Sequence, residues 1–124
     1  MDNSRFLFRG KCLEVDIHLA VTAEYDRAAE KFGAKHNSAH EAYAVILEEY
    51  EEAMKESKFF VGQLREIYWR KVKGEIRWEP PEGGCLEEMY DAAKSAACEW
   101  VQVAAMCHKA LQGYEREDKQ NAEN

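Results

Sequence analysis

Between Ala96 and Cys107 the chain reads Ala-Ala-Cys-Glu-Trp-Val-Gln-Val-Ala-Ala-Met-Cys, and only Glu99 and Gln102 in that run are strongly polar. A helix that is apolar on every side is a buried helix, so the stretch commits the chain to a fold that surrounds it. A carboxylate in such surroundings is costly unless it is paired or coordinates a metal. Glu99 is therefore expected either to meet a Lys or Arg of a neighbouring helix or to hold a cation. Gln102 lies three residues on, on the same face.

The rest of the chain repeats the helical period. Leu13, Ile17, Ala20, Val21, Ala28 and Phe32 predict a first helix over residues 12–33, with Gly33 at the C′ position. A short connection follows; Ser38 or Asn37 can cap the next helix, and Glu41 three residues after Ser38 gives a capping-box pattern. A second helix starts near residue 39, with Tyr43, Ile46, Leu47, Tyr50 and Met54 as its apolar stripe. The pattern continues through Phe60, Leu64, Ile67, Tyr68 and Val72 as far as Lys73, a span of about 50 Å if unbroken. Gly62 marks a bend or break near residues 57–62. Glu79-Pro80-Pro81-Glu82-Gly83-Gly84 predicts a loop. The last helix is expected over residues 86–113, with Leu86, Tyr90, Ala93, Ala97, Val101, Ala104 and Leu111 along one side. No strand-period alternation and no internal repeat is present, so the fold class is all-α, expected as an antiparallel helical bundle. Residues 1–11 and 115–124 read as a flexible arm and tail of a single domain covering residues 1–124.

Composition narrows the function classes. The 124 residues suit one domain, and 46% hydrophobic with 33% charged residues excludes a mostly disordered chain. A net charge of −7 argues against nucleic acid or an anionic membrane as partner. No run approaches the roughly 18 apolar residues of a membrane span. Residues 1–10 carry Asp2, Arg5 and Arg9 without an apolar core, so no secretory leader is expected and the chain reads as cytoplasmic. The four cysteines, Cys12, Cys85, Cys98 and Cys107, have no CxxC spacing and are expected as reduced thiols packed like small hydrophobes.

Charge changes sign along the second helix. Residues 41–56 hold six Glu against Lys55, whereas 57–77 hold Lys58, Arg65, Arg70, Lys71, Lys73 and Arg77 against Glu66 and Glu75. Such faces pair with neighbouring helices or subunits, or wall an anionic ligand. Within the acidic half, Glu48 with Glu51 and Glu49 with Glu52 project carboxylates in pairs three residues apart. Glu49, Glu52 and Glu56 share a side with Val45 and Ala42, so the acidic stripe borders apolar surface. With Glu99 and Gln102 on a facing helix, these groups make an all-oxygen site suited to Mg²⁺ or Mn²⁺ rather than Zn²⁺.

The run Asn37-Ser38-Ala39-His40-Glu41-Ala42-Tyr43-Ala44-Val45-Ile46-Leu47-Glu48-Glu49 with Glu52, followed by Glu99-Trp100-Val101-Gln102-Val103-Ala104-Ala105-Met106, resembles MazG-like proteins, members of the all-α nucleoside triphosphate pyrophosphohydrolases. The similarity covers residues 37–111. The family signature is EExxE on one helix and ExxD on a later one, and here Gln102 stands where the family has Asp. The glutamine offers a carbonyl oxygen, carries no charge and cannot act as a base.

The resemblance implies hydrolysis of a nucleoside triphosphate to the monophosphate and pyrophosphate, with Mg²⁺ (Mn²⁺ as substitute) held by Glu49, Glu52, Glu99 and Gln102. Glu48 would orient or deprotonate the attacking water. Lys58, Arg65 and Lys94 are candidates for phosphate contacts, and Tyr43, Trp69 and Trp100 for stacking a base, although each aromatic also suits a plain core. His108 reads as a packed histidine and His40 as a capping or surface group. The resemblance and the apolar faces of the last two helices both imply a homodimer or homotetramer. The competing reading is a catalytically weak or inactive helical oligomer that serves as a nucleotide-binding or interaction module.

Overall fold

The computed structural model describes residues 3–76 and 84–115, with side chains from residue 12 onward. Its elements are α-helices and one π-helical turn: α1 (Asn3–Phe32), α2 (Ala39–Gly62), the π turn (Gln63–Tyr68), α3 (Trp69–Val72) and α4 (Gly84–Leu111). The fold is all-α, as the 3.6-residue period requires, and among the described residues there is no strand beyond an isolated bridge between His36 and Tyr114. Among those residues no helix is long and apolar enough to cross a membrane. Most of the 79–84 breaker, Arg77 and the tail beyond Glu115 fall outside the described residues.

The ends of the helices follow the local chemistry. Gly33 adopts φ 96°, the left-handed conformation that closes α1, and its N–H donates to the Ala29 carbonyl at 2.8 Å. α1 itself starts at Asn3, ahead of the residue 12 start that the apolar period predicts. At the start of α2 the Glu41 N–H donates to Ser38 Oγ at 3.1 Å, the capping bond expected of that pair. Gly62 neither bends nor breaks the helix: it sits at φ −60°, ψ −47°, and the chain passes through it into the π turn and on into α3. The irregularity is a wider turn instead of an interruption. Across from it, the Cys85 thiol packs on Gln63, 3.4 Å from Oε1 and 3.7 Å from the carbonyl oxygen.

The chain divides into two compact units. One holds α1, α2 up to Leu47 and α4 from Val101; the other runs from Glu48 to Trp100. In the first, Ala42, Ala105, Met106, His36 and Lys109 are buried; in the second, Ala53, Cys85, Met89 and Ala92 are. These interiors consist mainly of small residues, which let helices approach closely.

The expected apolar stripes are not what the chain buries. Tyr43 (69% exposed), Leu47 and Tyr50 of α2 are exposed, as are Leu86, Tyr90, Ala93, Ala97, Ala104 and Leu111 (83%) of α4. Leu13, Ile17 and Phe32 of α1 are exposed as well. The faces turned inward carry Ala42 and Ala53 on α2 and Cys85, Met89 and Ala92 on α4. Of the four cysteines, all free, only Cys85 is packed as a hydrophobe; Cys12, Cys98 and Cys107 are exposed.

Candidate metal centre

Glu49 shares the side of α2 that carries Ala53, four residues on, and Glu52 lies three residues from Glu49. The inward side of α4 that begins with Cys85, Met89 and Ala92 reaches Glu99 by the same spacing. All three glutamates belong to the unit Glu48–Trp100. One carboxylate oxygen from each lies within 4.8 Å of the other two, with Glu49 and Glu99 half-buried and Glu52 exposed. Oxygens on opposite sides of a Mg²⁺ ion stand about 4.2 Å apart, so a slight inward turn of the exposed Glu52 closes the group around such a cation. The donor set is hard oxygen throughout, which fits Mg²⁺ or Mn²⁺.

The electrostatics match that geometry. Partial burial, followed by the charges of Glu52, Glu99 and Glu48, pushes the Glu49 carboxyl above the ordinary carboxylate range. Glu99 is pushed the same way by partial burial, then by the charge of Glu52, a hydrogen bond with Glu52 and the charge of Glu56. Among the described residues no Lys or Arg contributes to either shift. Of the two fates expected for Glu99, pairing with a cationic side chain is therefore not the one found. The cluster is a set of anions that repel one another, relieved by a shared proton or by a cation.

Gln102 has a different partner. Its Nε2 donates to Glu24 Oε2 at 2.7 Å, and the same Glu24 carboxylate accepts from Arg27 Nη1 at 2.6 and 2.8 Å. An amide can donate to Glu24 where a carboxylate could not, which gives this position a physical reason to be Gln.

The remaining expected residues are distributed as follows. Glu48 is exposed next to the cluster in sequence and adds its charge to that of Glu49. Lys58 and Arg65 are exposed; Lys94 is exposed with Nζ 5.0 Å from the centre of the Tyr90 ring. Trp69 is exposed beside Lys73 Nζ at 5.5 Å. Trp100 follows Glu99 and is fixed by two contacts: its Nε1 donates to Ser57 Oγ at 3.2 Å, and its ring meets Tyr50 edge-on at 6.0 Å. Those two contacts give Trp100 a defined orientation, while Tyr43 stands exposed. Arg70 and Lys73 of the basic run meet Glu75 at 3.6 and 3.1 Å. His40 is exposed, and the half-buried His108 ring packs edge-on against Tyr25 at 4.8 Å.

Two polar residues escaped the sequence reading. His36 is 1% exposed with no hydrogen bond at either ring nitrogen, its Nδ1 3.8 Å from Glu41 Oε1. Lys109 is buried in the last turn of α4, where the helix dipole favours a cation. His36 lies in the six-residue connection 33–38 without periodicity, so no pattern announced its burial. Comparison with models of protein families, with characterised proteins and with solved structures found no match for this chain.

Proposed function

We propose that the chain is a Mg²⁺-dependent nucleoside triphosphate pyrophosphohydrolase of the MazG-like kind, a homo-oligomer built on an antiparallel helical bundle. The observation that carries this reading is the convergence of Glu49, Glu52 and Glu99, with no Lys or Arg among the described residues contributing to their raised pKa values. A bound Mg²⁺ would supply charge neutralisation for the triphosphate and for the pyrophosphate as it leaves. Glu49, Glu52 and Glu99 are the residues that would hold that ion. Glu48 accepts a proton from the attacking water, whose oxygen bonds to the α-phosphorus as the bond to the bridging oxygen breaks. Lys58, Arg65 and Lys94 are the candidate phosphate contacts. Trp100, held by Ser57 and Tyr50, is the candidate for stacking a base.

The second reading, a helical module that binds nucleotide without turnover, rests on Gln102. Its amide is engaged with Glu24, and it brings no charge to the metal. One assay separates the two. Purified protein is supplied with a panel of ribo- and deoxyribonucleoside triphosphates and Mg²⁺ or Mn²⁺, and pyrophosphate is measured. Release that is lost in Glu52→Ala supports the enzyme. Nucleotide binding without release supports the module, and neither binding nor release refutes both.

A further inference from the structure

The connection 33–38 buries a side chain that the proposed reaction does not use. His36 is 1% exposed, and among the described residues neither of its ring nitrogens has a hydrogen-bond partner. Buried polar atoms are almost always satisfied, so a buried ring nitrogen without a partner in its own chain points to a ligand from outside it.

The group that Nδ1 meets is a carboxylate. Glu41 Oε1 lies 3.8 Å from it, whereas a hydrogen bond would bring the two atoms to about 2.7–3.2 Å. The separation is one that a metal ion spans. Zn²⁺ sits about 2.0–2.1 Å from an imidazole nitrogen and about 2.0–2.2 Å from a carboxylate oxygen. Two such ligands stand roughly 3.4 Å apart at a tetrahedral angle and up to about 4.2 Å apart at wider ones. The carboxylate is also aimed. Asn37 Nδ2 donates to Glu41 Oε2 at 2.8 Å, which leaves Oε1 as the oxygen turned to His36. The Glu41 N–H donates to Ser38 Oγ at 3.1 Å and fixes the backbone beneath it. Ligating carboxylates are commonly held by an outer hydrogen bond of this sort.

We propose that His36 Nδ1 and Glu41 Oε1 bind a divalent transition-metal ion of the Zn²⁺ class, with waters in its remaining positions. An imidazole with a carboxylate suits Zn²⁺, Co²⁺ or Ni²⁺, whereas Mg²⁺ prefers oxygen throughout. Nε2 carries the ring proton in the bound form. The Glu41 side chain is 39% exposed, so the ion enters from that side. Its role is structural. It fastens the connection, whose His36 carbonyl accepts the Glu115 N–H at 3.0 Å, to the first turn of α2. The pair belongs to the unit that holds Met1–Leu47 and shares no residue with the three glutamates, so the site stands or falls apart from the proposed activity.

Zn²⁺ alone, titrated into the full chain carrying Glu49→Gln and Glu99→Gln, tests it without the acidic cluster. Calorimetry reads the affinity, and two-bond nitrogen–proton NMR reads the rings of His18, His36, His40 and His108 separately. One ion is expected to bind, to shift the His36 Nδ1 resonance alone and to raise the melting temperature. Asn37→Leu removes only the outer hydrogen bond and is expected to lower the affinity about tenfold. His36→Phe and Glu41→Gln each remove a ligand atom and are expected to lower it further, whereas His18→Ala is expected to leave it unchanged. If His36→Phe does not fold, Glu41→Gln serves as the test, since glutamine still suits the capping box. A His36 ring that does not respond to Zn²⁺ overturns the proposal and leaves water to complete the nitrogen. Binding that survives both His36→Phe and Glu41→Gln overturns it as well, because the ion then lies elsewhere.

Discussion

Glu49 and Glu99 hold their protons more tightly in the folded chain than in the unfolded one. Between the ordinary carboxylate pKa and the raised values, folding therefore takes up protons, and the cluster's contribution to stability falls as pH rises through that window. It is least favourable above the window, where all the carboxylates are charged. A divalent cation binds the ionised form, so protons compete with it. The rise in melting temperature produced by Mg²⁺ should be small at about pH 5 and larger at about pH 7.5. Glu49→Gln combined with Glu99→Gln should remove both the rise and its pH dependence; an unchanged rise in that double variant would place the ion elsewhere. The same scale decides Gln102→Asp. The resemblance suggests that an aspartate restores a missing ligand, yet it removes the amide that donates to Glu24 at 2.7 Å and sets a second anion near that carboxylate. Hydrogen bonds to charged groups contribute roughly 1.5–3 kcal/mol, so the variant should unfold at lower temperature. A melting temperature at or above that of the wild type would show that the Glu24 contact carries no such weight.

At the level of elements, the helices and their caps were legible, whereas the choice of buried face was not. Gly33 and the Ser38–Glu41 pair act through neighbours in sequence, and both were read correctly. The stripe Tyr43, Leu47, Tyr50 was also real as a pattern. Periodicity reports that a face is apolar; it does not say whether the cover comes from the same chain or another. Beside the large-residue stripe of α2 runs a face of small residues and carboxylates, and that face turns inward at Ala53 and, in part, at Glu49. The interior at Ala53, fully buried, should then reject bulk: Ala53→Leu should cost about 1–3 kcal/mol. Ala44→Leu, on an exposed position of the same helix, should stay within about 0.5 kcal/mol of wild type. Thermal unfolding of the pair checks this, and equal losses would mean that the inward face has been misassigned. The π turn at Gln63–Tyr68 left no trace in the sequence beyond Gly62; its first residue meets Cys85, a contact between segments distant in sequence.

For the whole molecule, the helical class and the grouping of three glutamates could be reached from the sequence, because each depends on the residues of one or two helices. Contacts between distant segments could not. The clearest is at the end of α4, where Gly113 turns at φ 91° and the Glu115 N–H donates to the His36 carbonyl at 3.0 Å. Tyr114 and His36 form the isolated bridge there, on residues roughly 80 positions apart in sequence. Its consequence concerns time. Helical turns close among neighbours within about a microsecond, whereas a link of this span must wait until the intervening chain has been ordered. The clasp should therefore be absent from the transition state for folding and present only on its native side. Gly113→Ala, which strains the left-handed turn by about 1 kcal/mol, should leave the refolding rate unchanged and speed unfolding roughly fivefold. Stopped-flow refolding and unfolding would check it: slower refolding in that variant would mean that the two ends of this loop meet early.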